Sequence, residues 1–127
     1  MSVKTVTASL VARFAAIVGD ANAITRAEEQ AKYLREWRDR FTGRTAGVLR
    51  PGTTEEVSQI VALANAERVG IVPQGGNTGL VGGQIPSTRG DEIIVSLERL
   101  KRVRDRDATG GTLVVEAGVT LAEAQAA

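Results

Sequence analysis

Cysteine and histidine are both missing from this chain of 127 residues. A disulfide framework and a thiolate metal site are therefore excluded, and the commonest metal ligand and general base is absent as well. Chemistry that depends on those groups has to come from elsewhere. An excess of charge is also missing: sixteen Lys and Arg stand against fifteen Asp and Glu, a formal net charge of +1. So small a field does not drive nonspecific nucleic-acid binding, and no polyanionic partner is expected. No apolar run approaches the roughly 20 residues of a membrane-spanning helix, so no membrane span is expected. The stretch from Met1 to Ala21 carries Lys4 and an apolar run, but Arg13 interrupts that run and disfavours a signal-peptide core. The expected location is cytoplasmic. There is no internal repeat or low-complexity linker, and the length suits one compact domain or part of one.

Hydrophobic spacing outlines the elements that are present. Leu10, Val11, Phe14, Ile17 and Val18 recur at three and four, which predicts a helix over Ser9 to Val18 that ends at Gly19. From Thr25 to Arg40 charges mix with Tyr33, Leu34 and Trp37, and the four-residue spacing of Tyr33 and Trp37 suggests a second helix ahead of Phe41-Thr42-Gly43. Val48 and Leu49 form a short strand that stops before Arg50-Pro51-Gly52. Thr53-Thr54-Glu55-Glu56 reads as a capping box opening a helix, with Val57, Ile60, Val61, Leu63 and Ala64 as its buried stripe and Gly70 as its stop. Further strands are expected at Ile71 to Pro73, Ile93 to Leu97 and Thr112 to Glu116, the last two as neighbours. A strand, helix, strand order suggests an α/β or α+β unit. Thr120 to Glu123 opens another capping box about one turn before the sequence stops, which reads as a truncated helix.

The segment richest in chemical information is Val72-Pro73-Gln74-Gly75-Gly76-Asn77-Thr78-Gly79-Leu80-Val81-Gly82-Gly83-Gln84. Glycines reach positive φ and allow a ligand close to the backbone, while successive amides form an anion-binding nest. Asn77 and Thr78 add side-chain donors without negative charge. A Walker loop is excluded, because no lysine lies between Lys32 and Lys101. The dinucleotide fingerprint Gly-x-Gly-x-x-Gly is excluded too, since Gly75, Gly76, Gly79, Gly82 and Gly83 contain no Gly-x-Gly. Taken alone, the same glycines also suit hairpin turns or a surface loop without a ligand.

The order Leu49-Arg50-Pro51-Gly52-Thr53-Thr54-Glu55-Glu56-Val57, then Val72 to Gly83, then Ile94-Val95-Ser96-Leu97 resembles the vanillyl-alcohol-oxidase type of FAD domain. Within that superfamily it looks most like the D-2-hydroxyglutarate and D-lactate dehydrogenase branch. The resemblance runs from about Arg38 to Ala127. It implies an α+β fold, the first subdomain of a two-subdomain FAD-binding domain, with a small mixed sheet flanked by helices and no Rossmann arrangement. Residues 1–45 are then an N-terminal helical segment and residues 46–127 the first FAD subdomain.

The resemblance further implies that the amides of Gly75, Gly76, Asn77, Thr78 and Gly79 face the FAD pyrophosphate. In the same reading Gly83 and Gln84 close the far side, Pro73 fixes the strand exit and Gly82 lets the backbone pass close. FAD is expected to be noncovalent, because the histidine or cysteine that some relatives use for attachment is missing. The parent enzyme is expected to oxidise a small-molecule D-2-hydroxy acid and pass electrons to a separate acceptor. Its catalytic base, substrate-binding arginine and histidine-held divalent metal belong to later parts of such proteins, and a homodimer is an assembly this reading admits. No catalytic or metal residue is assigned here. Two alternatives stay open: another FAD-linked alcohol or sugar oxidase of the superfamily, and a noncatalytic nucleotide-binding module.

Other residues read as structural. Arg99, Lys101, Arg102, Arg104 and Arg106 are diluted by Glu98, Asp105 and Asp107 and have no aromatic among them to stack on a base, which suits a solvated strand face. Tyr33 and Trp37 read as a packing pair, and Glu55 and Glu56 as helix-start residues.

Overall fold

The computed structural model describes residues 5–127, so Lys4 and the rest of the first four residues lie outside it. Helix α1 forms over Ala8–Val18 where the three-four spacing places it. The Thr7 hydroxyl accepts from the Leu10 amide at 3.2 Å, and Gly19 at φ 85 ends the helix.

A four-stranded sheet holds the centre. It is built from β1 (Ala23–Ile24), β2 (Gly47–Leu49), β3 (Gly70–Gln74) and β4 (Glu92–Ser96), in the spatial order β1-β2-β4-β3. Strands β2, β4 and β3 run parallel, and β1 is antiparallel to β2. Helix α3 (Thr54–Glu67) carries the chain from β2 to β3, after which β4 inserts between them. Pro73, which lacks an N–H, is tolerated because β3 is an edge strand.

Alternation along β4 divides the interior. Ile93 and Val95 join Leu49 in a core with Leu10, Phe14 and Val18 of α1 and Ile60 and Ala64 of α3. Ile94 points the other way, into a smaller cluster with Val48, Val72 and Tyr33.

Several expectations need correction. The helix expected over Thr25 to Arg40 shrinks to α2 (Ala27–Gln30) and a 3-10 turn at Ala31–Tyr33. Beyond it the buried Glu36 carboxylate accepts from the amides of Arg38 at 2.9 Å and Arg40 at 2.5 Å, which competes with helical pairing. Burial pushes the Glu36 carboxyl up, but the amides of Arg40, Arg38 and Phe41 outweigh it and hold the group below its ordinary range. Tyr33 and Trp37 consequently part company, at 3% and 71% exposed.

In α3 the Thr53 hydroxyl accepts from the Glu56 amide as expected, but Glu56 returns to the Gly52 amide rather than to Thr53. Val61 lies outside the buried stripe, which centres on Ile60 and Ala64. The helix ends at Arg68 in the left-handed region, two residues before Gly70, which instead begins β3.

Thr112 to Glu116 does not neighbour β4, because β2 and β3 occupy both edges of that strand. It forms β6 (Thr112–Val115), paired antiparallel with β5 (Val103–Asp107) in a separate two-stranded sheet. Strand β5 carries only Arg104 and Arg106 of the basic run, and Arg104 to Asp107 are exposed as expected; Arg99, Lys101 and Arg102 lie ahead of the strand. The second capping box closes completely at the start of α4 (Leu121–Ala126). Among the described residues no helix is long and apolar enough to cross a membrane.

Candidate functional site

The carboxyl ends of β3 and β4 open into a cleft of about 500 Å³. Open parallel sheets favour ligand sites at this edge, since strand ends release loops there. One wall is Gln74, Gly75, Gly76 and Asn77; the facing wall is Lys32, Tyr33, Arg35 and Trp37. Of the residues singled out from sequence, the structure brings Gly75, Gly76 and Asn77 to the cleft lining. Pro73, Thr78, Gly79, Gly82, Gly83 and Gln84 continue the same strand and loop without lining that space.

The loop has a different conformation from a glycine-only nest. Positive φ falls on Asn77 (56°) and Gly82 (79°), not on Gly75, Gly76, Gly79 or Gly83. What glycine provides at Gly76 is room: a Cβ there would stand 2.6 Å from Thr120 Cγ2. At Gly82 both reasons apply, because a Cβ would meet the Phe41 ring at 2.8 Å.

Of the two side-chain donors expected to face a ligand, Asn77 is committed within the protein. Asn77 Nδ2 donates to the carbonyls of Arg35 at 2.9 Å and Lys32 at 3.4 Å, and Asn77 Oδ1 accepts from Gln84 Nε2 at 3.2 Å. Gln74 Nε2, on a buried side chain, donates to the carbonyls of Tyr33 at 2.9 Å and Gln84 at 3.0 Å. These bonds strap the two walls together. The backbone donors are free by contrast: among the described residues, no N–H from Gly75 to Gln84 donates to another protein group. A run of solvent-accessible amides beside a cleft can bind an acceptor-rich anion.

The floor is polar. Tyr33 donates its hydroxyl to Glu98 Oε1 at 2.6 Å, and Arg50 Nε lies 2.6 Å from the same oxygen. Burial, reinforced by the Glu98 carboxylate, holds the Tyr33 phenol well above its ordinary range. It stays protonated and acts as a fixed donor. Ser96 Oγ is buried with no hydrogen-bond partner. Strand alternation puts Ser96 on the sheet face of Ile94, the face that carries Tyr33.

Lys32, Tyr33, Arg35 and Trp37 line the cleft, although nothing in their sequence spacing marks them as site residues. Helical spacing hides them, since it treats the segment as a packed helix. The available signal is indirect: polar Gln74 and Asn77 flanking a glycine pair require acceptors, and those acceptors are the carbonyls of residues 32, 33 and 35.

A family model described as FAD binding domain matches residues 45–127. A mitochondrial D-2-hydroxyglutarate dehydrogenase of Arabidopsis thaliana is 38% identical over 111 residues, covering 87% of this chain and 20% of the relative. A D-2-hydroxyglutarate dehydrogenase of Xanthomonas citri pv. viticola is 43% identical over 89 residues, covering 70% of this chain and 18% of the relative. The chain spans about a fifth of the length of these curated relatives. Among solved structures, p-cresol methylhydroxylase aligns with a TM-score of 0.77 at 23% identity, over 93% of this chain and 23% of the other. That likeness is one of fold.

Proposed function

The chain belongs to the family of FAD-binding domains, matched over residues 45–127, and on that premise we propose that its cleft binds the diphosphate of FAD without a covalent link. Bound FAD supplies the hydride acceptor, at flavin N5, for oxidation of a D-2-hydroxy acid to the 2-oxo acid, with the electrons passing on to a separate acceptor. Residues 46–127 are the first subdomain of a two-subdomain cofactor domain, preceded by the segment 1–45. The hydroxy-acid class rests on the dehydrogenases at 38% and 43% identity.

The observation that carries the cofactor assignment is the run of uncommitted amides from Gly75 to Gln84, which begins on the wall of the cleft. A diphosphate is rich in acceptors and has no donor, so it complements backbone N–H groups that the fold leaves unpaired. The loop contributes no carboxylate to repel it. The one carboxylate in the cleft lining, Glu98, is engaged by Tyr33 and Arg50. In this arrangement the chain binds and orients the cofactor, while the groups that handle substrate protons are not among the residues assigned.

Calorimetric titration of the chain with FAD tests the reading. Gly75→Ala is the sharpest variant, because its new Cβ would sit 3.3 Å from the Ala117 carbonyl, a tight but tolerable contact on the cleft wall. Affinity should fall about tenfold, equivalent to about 1.4 kcal/mol, with the circular dichroism unchanged. A variant that binds FAD as well as the parent removes this loop from the site.

A further inference from the structure

The glycine loop has donors but no charge. From Gly75 to Gln84 there is no lysine, arginine or acidic residue. No helix begins between β3 and β4, and the nearest helix start, α4 behind Thr120, is six residues long with its cap already taken by the Glu123 carboxylate. A diphosphate diester is a dianion, and a dianion drawn from water into a cleft needs opposing charge as well as amide dipoles. That charge must come from another segment.

The cleft lining contains three cationic side chains, Lys32, Arg35 and Lys101, against the single carboxylate of Glu98. Lys101 is held 2.5 Å from Glu123. Glu98 is matched by Arg50 at 2.6 Å. Arg35 has only a loose pairing, 3.7 Å from Asp39 with both side chains more than half exposed. Lys32 has no carboxylate partner among the described residues, and its ammonium stands 4.9 Å over the Tyr33 ring. Both free or nearly free cations therefore lie on the wall opposite the loop. Their backbone is strapped to that loop, because Asn77 takes the carbonyls of Lys32 and Arg35 and Gln74 takes the carbonyl between them.

We propose that Lys32 and Arg35 form a cationic clamp that neutralises the diphosphate held by the glycine loop, so that a segment lying before the matched region 45–127 builds half of the anion site. The clamp rests on the cofactor reading above and extends it to residues outside the matched family region. It recognises a diphosphate ester by charge, whatever ring system the ester carries.

Lys32→Met keeps the aliphatic stem, and Arg35→Gln keeps the polar character. Neither touches the carbonyls that Asn77 uses, so the strap survives both. Calorimetry with FAD, ADP and inorganic pyrophosphate reads the affinity, and quenching of Trp37, the sole tryptophan, gives a second signal from the cleft. Each variant should lose about tenfold in affinity for FAD and for ADP, the size of a lost charge-assisted hydrogen bond. The double variant should lose more, with a shallower salt dependence. Lys32→Arg should retain binding. If the parent chain binds FAD and the double variant binds it equally well with the same salt slope, the clamp is wrong and the loop assignment stands. If the parent chain binds none of the three, the site itself fails and takes the clamp with it.

Discussion

The two faces of the central sheet receive alternate residues of the same strands, yet they are closed by different forces. On the helical face Ile93 and Val95 meet Leu10, Phe14, Ile60 and Ala64 in an apolar layer. On the cleft face Ile94, Val48 and Val72 reach only as far as Tyr33, and beyond that the cover is held by the side chains of Gln74, Asn77 and Glu98. Apolar burial scales with area and does not fix orientation, whereas hydrogen bonds fix distance and angle. The helical face therefore supplies stability, and the cleft face supplies position. A loop whose own amides must stay uncommitted can be held still only by side chains at its borders.

Phe14→Ala breaks the comparison most directly. Phe14 is fully buried, and truncating such a side chain typically costs about 3–5 kcal/mol. Urea unfolding should show a loss of that size, while FAD affinity of the folded protein changes little because no cleft residue moves. A loss below about 1 kcal/mol would mean that the helical face is not where stability resides.

Gln74→Leu tests the other face. Removing the amide strands the carbonyls of Tyr33 and Gln84; only the bond to Tyr33 is fully buried, so the cost expected is that of one buried unpaired group, about 1–3 kcal/mol. The expected loss in stability is smaller than for Phe14→Ala, and the expected loss in FAD affinity is larger. Equal affinity for this variant and the parent chain would show that the straps do not position the loop.

The same division explains what was legible in the sequence. Helix α1, helix α3 and the strands around Val48, Val72 and Ile94 follow from hydrophobic spacing, because the helical face is built from spacing alone. The glycine loop is legible from its composition as an irregular segment between two strands. The facing wall is not. Lys32, Arg35 and Trp37 reach the cleft through a turn organised by the Glu36 carboxylate, and a carboxylate that gathers amides two, four and five residues ahead leaves no periodic trace. The stop of α3 is hidden for a related reason: Arg68 takes the left-handed cap conformation that glycine usually fills, while the nearby Gly70 begins β3.

Arg68→Gly follows from that last point and belongs to the helical face. Arg68 holds φ 56 and its amide closes the helix on the carbonyls of Ala64 and Asn65. Glycine adopts this conformation without a Cβ penalty, so thermal unfolding should show a gain of about 0.5–1 kcal/mol, reduced by the freer unfolded chain. A destabilised variant would mean that the arginine side chain, not its backbone, secures the cap.

The smallest effect expected lies at the margin of the cleft, in the pair Lys101 and Glu123. The Lys101 ammonium, then the Thr120 amide and hydroxyl, hold the Glu123 carboxyl down from its ordinary 4.5 to about 2. A carboxyl depressed in the folded state favours folding at pH values above its ordinary one, and that contribution fades as pH falls from about 4.5 towards 2. Both side chains are nearly half exposed, at 46% and 45%, so solvent screening should leave global stability almost unchanged across that window. The local signal is the one to follow. Carboxyl-detected NMR should place the Glu123 midpoint near 2 in the parent chain. Lys101→Met should raise that midpoint towards 4.5 without reaching it, because the Thr120 amide still donates to Glu123 at 2.7 Å. If the midpoint stays near 2 after Lys101→Met, the helix cap alone sets the ionisation. Lys101 would then be a third uncommitted cation beside Lys32 and Arg35, and the cleft face would be more strongly basic than its observed ion pairs imply.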